Sequence, residues 1–274
     1  MDGPRKKQRL DVWLVEHGLA ESRHKAQGMI LAGQVLVNEQ RADKAGFPVG
    51  PDAQVRIRGE ALRYVGRGGL KLEGALQAFN LDVTGAVCLD VGASTGGFTD
   101  CLLQHGAVRV YAVDVGTNQL VWKLRTDERV IAREHVNARF LKPDDFPEKF
   151  SVMTCDVSFI SLEKILPPLF SLAVPGGILL ALVKPQFEVG RSEVGKGGIV
   201  RDPVLHRKVL ETVVAAARQN GFIPRRVMRS PIAGTDGNVE FLLWAEAGTG
   251  ETSDQPAEPG LTSAVETDIN ALFG

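Results

Sequence analysis

The chain has 274 residues, of which 44% are hydrophobic and 24% are charged, and its formal net charge is −1. This composition is typical of an ordinary globular protein with one large or two small domains. No run of about 18 apolar residues is present, and no apolar segment follows the basic start of the chain, so we expect neither a membrane span nor secretion. Three cysteines and five histidines without metal-ligand spacing predict reduced thiols in a cytoplasmic protein and no metal site.

Charge is distributed unevenly along the chain. From Ala245 onward there are six acidic residues and no Lys or Arg, whereas the N-terminal part is rich in Arg and Lys. A basic end on a globular protein favours an anionic polymer as the partner. Basic residues on a merely solvated surface are the alternative.

Residues 1–59 predict a small α+β unit. Its expected elements are helices over 10–17 and 22–32 and strands at 35–37 and 55–57. Ser22 is a suitable N-cap for the second helix, and Gly33 can end it. The following residues 60–69 are rich in glycine and arginine and predict a linker.

Residues 70–246 predict a doubly wound α/β domain, because strands and helices alternate. Strands are expected near 87–91, 108–114, 130–131, 152–156, 177–184, 225–228 and 239–245, and helices at 70–79, 98–104, 161–170 and 203–220. Glycines in 190–202 predict a mobile loop at the carboxyl ends of the strands. Residues 247–274 predict an acidic, disordered tail, within which Leu261, Val265, Ile269 and Leu272 could form a short docking helix.

A glycine turn from Gly92 to Gly97 follows the first of these strands, and Asp114 ends the next one. This arrangement predicts a nucleotide site, with Asp114 accepting a hydrogen bond from a ribose. Ser94 replaces the glycine that a pyrophosphate needs, and the Asp90 carboxylate suits a cationic ligand, so S-adenosylmethionine is favoured over NAD. The predicted cofactor contacts are Asp90, Gly92, Ala93, Ser94, Gly96, Gly97, Phe98, Asp114 and Val115. The alternative is a flavodoxin-like sheet whose glycines serve only helix packing.

Several motifs resemble known domains. Arg9-Leu10-Asp11, Gly18-Leu19-Ala20-x-Ser22-Arg23 and Gly33-x-Val35-x-Val37-Asn38 are similar to an S4 RNA-binding domain. The motifs that resemble FtsJ-like 2′-O-ribose methyltransferases are Arg67–Leu72, Asp90–Thr99, Asp156–Leu162, Val183–Glu188 and Gly237–Glu240. The whole arrangement, from Arg9 to Trp244, resembles the TlyA/hemolysin A family. This resemblance implies an S4 domain before a Rossmann-like methyltransferase domain, and S-adenosylmethionine-dependent methylation of cytidine ribose in 16S or 23S ribosomal RNA.

The resemblance also implies the roles of individual residues. The Lys-Asp-Lys-Glu catalytic set of the FtsJ-like enzymes falls on Lys71, Asp156, Lys184 and Glu240. Lys184 would then act on the ribose 2′-hydroxyl as a base or orienting group. The expected contacts to ribosomal RNA or ribosomal subunits are Arg5, Lys6, Lys7, Arg9, Arg23, Lys25 and Arg67.

Each of these residues also has an ordinary interpretation when it is taken alone. Lys184 could be a solvated strand end, Asp156 a cap of the turn at 158–161, and Glu240 a surface partner of Arg226. Residues 186–188 could shape a target-base pocket or only brace a loop. Three other functions stay open: an RNA-binding protein with a degenerate methyltransferase core, a hemolysin, and an NAD-linked oxidoreductase.

Overall fold

A computed structural model describes residues 7–38, 40–50, 53, 55–57, 63–234, 237–249 and 259–274. The chain divides into two compact units, Met1–Arg63 and Tyr64–Gly274. Within the described residues, no helix is both long enough and apolar enough to cross a membrane. Arg5 and Lys6, both predicted RNA contacts, lie outside the described residues.

The first unit is a pair of short helices packed on small sheets. Its elements are β1 (Gln8–Arg9), α1 (Leu10–Glu16), α2 (Arg23–Leu31), β2 (Val35–Val37), β3 (Gln40–Arg41), β4 (Pro48–Val49) and β5 (Val55–Ile57). Strand β2 lies between β3 and β5, and β1 pairs with β4. The N-cap prediction for α2 is confirmed, because the Ser22 hydroxyl accepts a hydrogen bond from the Lys25 backbone N–H. Leu10 and Leu14 are one helical turn apart, so both enter the core, where Ile30 of α2 is also fully buried.

A buried carboxylate organises the basic side chains of this unit. The Asp11 carboxylate accepts hydrogen bonds from Arg9 (Nε to Oδ1, 3.0 Å), Arg23 (Nη2 to Oδ2, 3.1 Å) and Gln27 (Nε2 to Oδ2, 2.9 Å). Its side chain has no exposed surface, while those of Arg9 and Arg23 remain more than half exposed. Asp11 therefore orients two predicted RNA contacts without removing them from solvent. Hydrogen bonding to Arg9 is the main reason why the pKa of Asp11 lies well below its ordinary value.

We expect acid to weaken the first unit through Asp11. Because the pKa of this carboxyl is lower in the folded protein than in the unfolded chain, its contribution is complete above the ordinary carboxyl pKa of about 4. The contribution is lost as the pH falls below that value toward the folded pKa. Native-state amide hydrogen exchange of α1 and α2 should show less protection in an Asp11→Asn variant at neutral pH, and the difference should shrink at about pH 3. A difference that stays constant with pH would contradict this assignment.

The second unit is built on a seven-stranded sheet. Its strands are β6 (Val87–Val91), β7 (Arg109–Val113), β8 (Val130–Arg133), β9 (Phe150–Cys155), β10 (Ala173–Val183), β11 (Phe222–Arg229) and β12 (Phe241–Ala247). Its helices are α3 (Gly68–Ala78), α4 (Gly97–Gln104), α5 (Trp122–Arg125), α6 (Leu166–Leu172), α7 (Pro185–Glu188), α8 (Pro203–Gln219) and α9 (Pro259–Phe273).

The strand order is β11-β12-β10-β9-β6-β7-β8. The pairs among β6 to β10 are parallel, and β12 is antiparallel to both β10 and β11. Alternate residues of each central strand face opposite sides, so Leu179 and Ala181 pack with α6 and α8 while Leu180 and Leu182 pack with α3 and α4. The predicted doubly wound, mainly parallel α/β fold is confirmed.

Residues 64–69, which were predicted as part of a linker, belong to the second unit. Tyr64 is 2% exposed and lies in the same apolar cluster as α3 and α4. The Val65 backbone N–H donates to the Asp100 carboxylate (2.9 Å), and α3 already begins at Gly68. The prediction failed because glycine and arginine content is a property of many ordered loops as well as of linkers.

The C-terminal segment also differs from its prediction. Residues 259–273 form helix α9 rather than a disordered tail, and Val265 and Ile269 are buried against the second unit, as the docking-helix alternative requires. The Asp268 carboxylate accepts hydrogen bonds from Arg226 Nε (2.7 Å) and from the Val227 backbone N–H (3.0 Å). Apolar residues four apart form one buried stripe, and this outweighs the acidic composition. Residues 250–258 of the predicted tail lie outside the described part of the chain.

Candidate active site

Three of the four predicted catalytic residues lie at one edge of the large sheet. Strands β9 and β10 are parallel and end directly before Asp156 and Lys184. Strand β12 runs in the opposite direction and begins at Phe241, which pairs with Val183. Glu240 therefore lies beside Lys184, and Lys71 reaches the same place from the first turn of α3.

The four side chains form two ion pairs. Lys71 Nζ lies 2.5 Å from Glu240 Oε2, and Lys184 Nζ lies 2.6 Å from Asp156 Oδ1. Lys184 Nζ also donates a hydrogen bond to Ser158 Oγ (2.9 Å). Both lysines and Glu240 are less than 10% exposed. Charged groups are buried to this extent only when they are paired, and such pairs are expensive to desolvate.

These contacts decide among the ordinary interpretations of the same residues. Lys184 is not a solvated strand end, because it is buried and paired. Asp156 pairs with Lys184, while the 3-10 turn at Leu162–Lys164 is capped by the Ser161 hydroxyl, which accepts from the Glu163 backbone N–H. Glu240 pairs with Lys71 rather than with Arg226.

A cavity of about 390 Å³ opens beside the two ion pairs. It is lined by all four charged residues, by most of the glycine turn, and by parts of the loops after β9, β10 and β11. Besides the four charged residues, the lining includes Gly66, Arg67, Gly68, Gly92, Ala93, Ser94, Gly97, Phe98, Ser158, Phe159, Gln186 and Phe187.

A second cavity, of about 730 Å³, adjoins the first. The two share Gly92, Ser94, Asp156 and Phe159 in their walls, so they form two parts of one cleft. The second part is lined by Asp114, Val115, Asn137 and Ala138. A small molecule with a nucleoside at one end and a reactive group at the other could therefore span the cleft from Asp114 to Lys184.

The glycine turn packs closely against neighbouring backbone and also lines both cavities. Gly92 has φ +81°, and a Cβ atom there would lie 2.5 Å from the Asp156 carbonyl oxygen. A Cβ atom at Gly97 would approach the Gly69 nitrogen to 3.0 Å. The Asp114 carboxylate accepts hydrogen bonds from the backbone N–H groups of Ser94 (2.8 Å) and Gly116 (2.7 Å). This carboxylate is thus held in place at the wall of the larger cavity.

Two predicted cofactor contacts do not line either cavity. Asp90 is fully buried in β6, where its carboxylate accepts from the hydroxyls of Thr99 (2.6 Å) and Thr154 (2.9 Å). Burial raises its pKa to about 6. It connects β6, α4 and β9 beneath the turn instead of facing a ligand.

Gly96 is the second exception. It has φ +98°, and a Cβ atom there would lie 2.2 Å from Leu124 Cδ1 and 2.7 Å from Leu120 Cδ1. Glycine at this position therefore permits the close packing of α5, as the helix-packing alternative proposed. Val115, in contrast, lines the larger cavity and is 71% exposed.

Sequence reasoning missed Phe159 as a site residue. Its side chain is 91% exposed, lies in the wall of both cavities, and packs beside Phe187 with ring centroids 4.9 Å apart and ring planes tilted by 50°. Its backbone has φ +63°, a conformation that costs about 1–3 kcal/mol for a residue other than glycine. Asn137 and Ala138 were missed as well. Hydropathy patterns give no signal for any of them, because Phe159 and Asn137 lie outside helices and strands and Ala138 begins a three-residue 3-10 helix.

The predicted RNA contacts are spread over both units. In the first unit, Arg9 and Arg23 are held by Asp11, and Lys25 pairs with Glu21 (2.9 Å). Lys7 is exposed. In the second unit, exposed Arg67 lines the smaller cavity. Among the described residues, no group of His, Cys, Asp and Glu side chains could hold a metal ion.

Comparison with known proteins identifies the domain family to which each unit is similar. Residues 8–55 match the S4 domain and residues 64–247 match the FtsJ-like methyltransferase domain. The chain is 42% identical over 263 residues to the "16S/23S rRNA (cytidine-2'-O)-methyltransferase TlyA" of Mycobacterium tuberculosis, covering 96% of this chain and 97% of that protein. It is 52% identical to the "Putative rRNA methyltransferase YqxC" of Bacillus subtilis, covering 95% and 94%. A solved structure, "Putative hemolysin from Streptococcus thermophilus", has 48% identity and a TM-score of 0.73, covering 97% of this chain and 96% of that one. The chain therefore belongs to the TlyA/hemolysin A family, in which an S4 domain precedes an FtsJ-like methyltransferase domain.

Proposed function

We propose that this protein transfers a methyl group from S-adenosylmethionine to the 2′-hydroxyl of a cytidine ribose in ribosomal RNA, in the cytoplasm. The observation that carries the proposal is the pair of lysine–carboxylate contacts that lines the smaller cavity, with Asp156 also in the wall of the larger one. The M. tuberculosis relative is named for this reaction. A degenerate methyltransferase core would have no reason to keep two lysines and Glu240 buried together beside a partly exposed Asp156, since burying charged groups is unfavourable.

The residues present fit S-adenosylmethionine. Gly92 and Ser94 line both cavities and Gly97 lines the smaller one, so the backbone of the glycine turn faces the space where this ligand would lie. The Asp114 carboxylate is oriented to accept a hydrogen bond from ribose hydroxyls. Val115, Asn137 and Ala138 would surround the adenine in the larger cavity. When bound, S-adenosylmethionine supplies an electrophilic methyl group on a sulfonium centre.

The protein's own residues would place and deprotonate the hydroxyl. After Lys184 has released its own proton to solvent, its neutral Nζ takes the proton from the 2′-oxygen as this oxygen attacks, and Asp156 stabilises the ammonium that forms again and keeps it aimed at the cleft. Ser158 Oγ provides the second contact that fixes Nζ. Lys71 and Glu240 form a neighbouring part of the wall of the smaller cavity. Most of the rate enhancement then comes from positioning the two reactants in line.

Binding of the nucleic acid would involve both units. The first unit offers half-exposed Arg9 and Arg23 and exposed Lys7, which suit phosphate oxygens. In the second unit, Phe159 and Phe187 offer aromatic faces at the entrance to the cleft. A cytosine turned out of its RNA helix could stack on Phe159 while its ribose reaches Lys184.

Mass mapping of ribose methylation in ribosomal RNA tests this function. RNA from cells that lack the protein should have lost at least one 2′-O-methylcytidine, and the wild-type gene should restore it while a Lys184→Ala gene should not. Identical methylation with and without the protein would exclude the proposed reaction in those cells. Methylation restored equally by Lys184→Ala would show that the assigned residues do not perform it.

Replacement of Asp114 should weaken binding of S-adenosylmethionine. Asp114→Ala is expected to lower the affinity by about 1–3 kcal/mol, because a hydrogen bond to ribose and the support of the Ser94 backbone are both lost. Isothermal titration calorimetry gives the affinities directly. Asp144→Ala, which removes an exposed carboxylate of the same unit, is the matched control and should bind normally. Equal affinities of the Asp114→Ala variant and the wild type would remove Asp114 from the site.

A further inference from the structure

The loop of residues 156–161, which joins β9 to the following 3-10 turn at Leu162–Lys164, carries three groups of the proposed site. Asp156 and Ser158 contact Lys184, and Phe159 lies in the wall of both cavities. Phe159 has a positive φ, and because its side chain is 91% exposed, its own packing contacts do little to stabilise that backbone conformation. Some other part of the protein must keep this residue in an unfavourable conformation.

Helix α7 holds the loop from one side at two points. Lys184, directly before α7, binds the beginning of the loop through Asp156 and Ser158. Glu188, the last residue of α7, binds its end. Glu188 Oε1 accepts a hydrogen bond from the Leu162 backbone N–H (2.9 Å). Phe187 contacts the Phe159 ring between these two points.

We propose that Glu188 is a positioning residue, which holds Phe159 at the entrance to the cleft by anchoring the end of the 156–161 loop. The inference rests on the proposed function, because Phe159 matters only if it receives the target nucleotide. Glu188 does not line either cavity and so does not touch the reacting groups. The sequence left two roles open for Glu188, shaping a target-base pocket or bracing a loop. The hydrogen bond from the Leu162 backbone N–H favours the bracing role.

A double-mutant cycle separates this role from a general effect on stability. Glu188→Ala should lower kcat/KM for ribosomal RNA by about 10-fold, since a small displacement of a positioning group is enough for such a loss. The affinity for S-adenosylmethionine should change by less than about 2-fold, because Asp114 and the glycine turn are not anchored by Glu188. In a Phe159→Ala background, the same Glu188→Ala change should have an effect below about 2-fold, since the side chain on which it acts is gone.

Two further variants show whether a loss of activity in Glu188→Ala comes from the missing hydrogen bond or from a general folding defect. Glu188→Gln retains an oxygen that accepts from Leu162 and should stay within about 3-fold of the wild type. Glu163→Ala removes an exposed carboxylate from the same turn and is the matched control. Amide hydrogen exchange at Leu162 should be fast in Glu188→Ala and slow in Glu188→Gln. This readout does not depend on methylation.

The results distinguish failure of this inference from failure of the proposed function. A wild-type protein that does not methylate ribosomal RNA contradicts the proposed function itself. An active wild type with additive effects of Glu188→Ala and Phe159→Ala contradicts the positioning role alone. The role is also wrong if Glu188→Gln is as impaired as Glu188→Ala, or if Glu188→Ala loses affinity for S-adenosylmethionine to the same extent as activity.

Discussion

Replacing Lys184 with alanine is expected to lower the rate of methylation by about 100-fold or more. The Lys184 amine acts on the 2′-hydroxyl mainly in the transition state, so kcat should fall while the affinities for S-adenosylmethionine and RNA change little. Single-turnover methylation, measured together with calorimetric affinities, separates these quantities. Lys208→Ala, which removes a lysine from the exposed Glu193 pair in the same unit, is the matched control and should keep its activity.

Lys184→Arg distinguishes a proton acceptor from a fixed charge. A guanidinium stays protonated and cannot take the proton from the hydroxyl, so this variant should be nearly as slow as Lys184→Ala. Activity close to that of the wild type in Lys184→Arg would mean that Lys184 supplies only positive charge. Full activity in Lys184→Ala would overturn the roles of all four charged residues.

Removing Glu240 alone is expected to destabilise the second unit by about 3–5 kcal/mol. Glu240→Leu leaves the Lys71 ammonium buried without the carboxylate 2.5 Å away that neutralises it. Both side chains are largely shielded from solvent, so water from the adjoining cavity compensates for only part of the loss. Urea denaturation of the full-length chain measures the change in the free energy of unfolding.

The double variant Lys71→Met/Glu240→Leu should recover most of this loss, because no unpaired charge remains in the interior. It should nevertheless stay impaired in methylation if the pair shapes the smaller cavity. Glu211→Ala, which breaks the exposed pair with Arg207, is the control and should change stability by less than about 1 kcal/mol. A Glu240→Leu variant as stable as the Glu211→Ala variant would show that the Lys71–Glu240 contact is not a buried ion pair in solution.

The order and type of the main elements could be predicted from the chain because local pattern determines them. The continuous apolar runs of β6 and of the second half of β10 are read directly from the sequence, and so is the N-cap at Ser22. Composition was a poorer guide. It suggested a linker where Tyr64 is buried and disorder where α9 packs, because composition does not report which side chains find a partner.

The same distinction between local sequence pattern and tertiary contacts applies to the residues of the site. The sequence by itself determined the glycine turn, the Asp114 carboxylate and, through its resemblance to a known family, the identity of the four charged residues. Only the tertiary structure decided that Asp90 and Gly96 serve packing rather than a ligand, and that Phe159 lies at the entrance to the cleft. Lys71 and Glu240 are 169 residues apart and meet because β12 runs antiparallel to β10 with Phe241 opposite Val183. Strand register brings such distant groups together, and no local pattern encodes the partner that a buried charge requires.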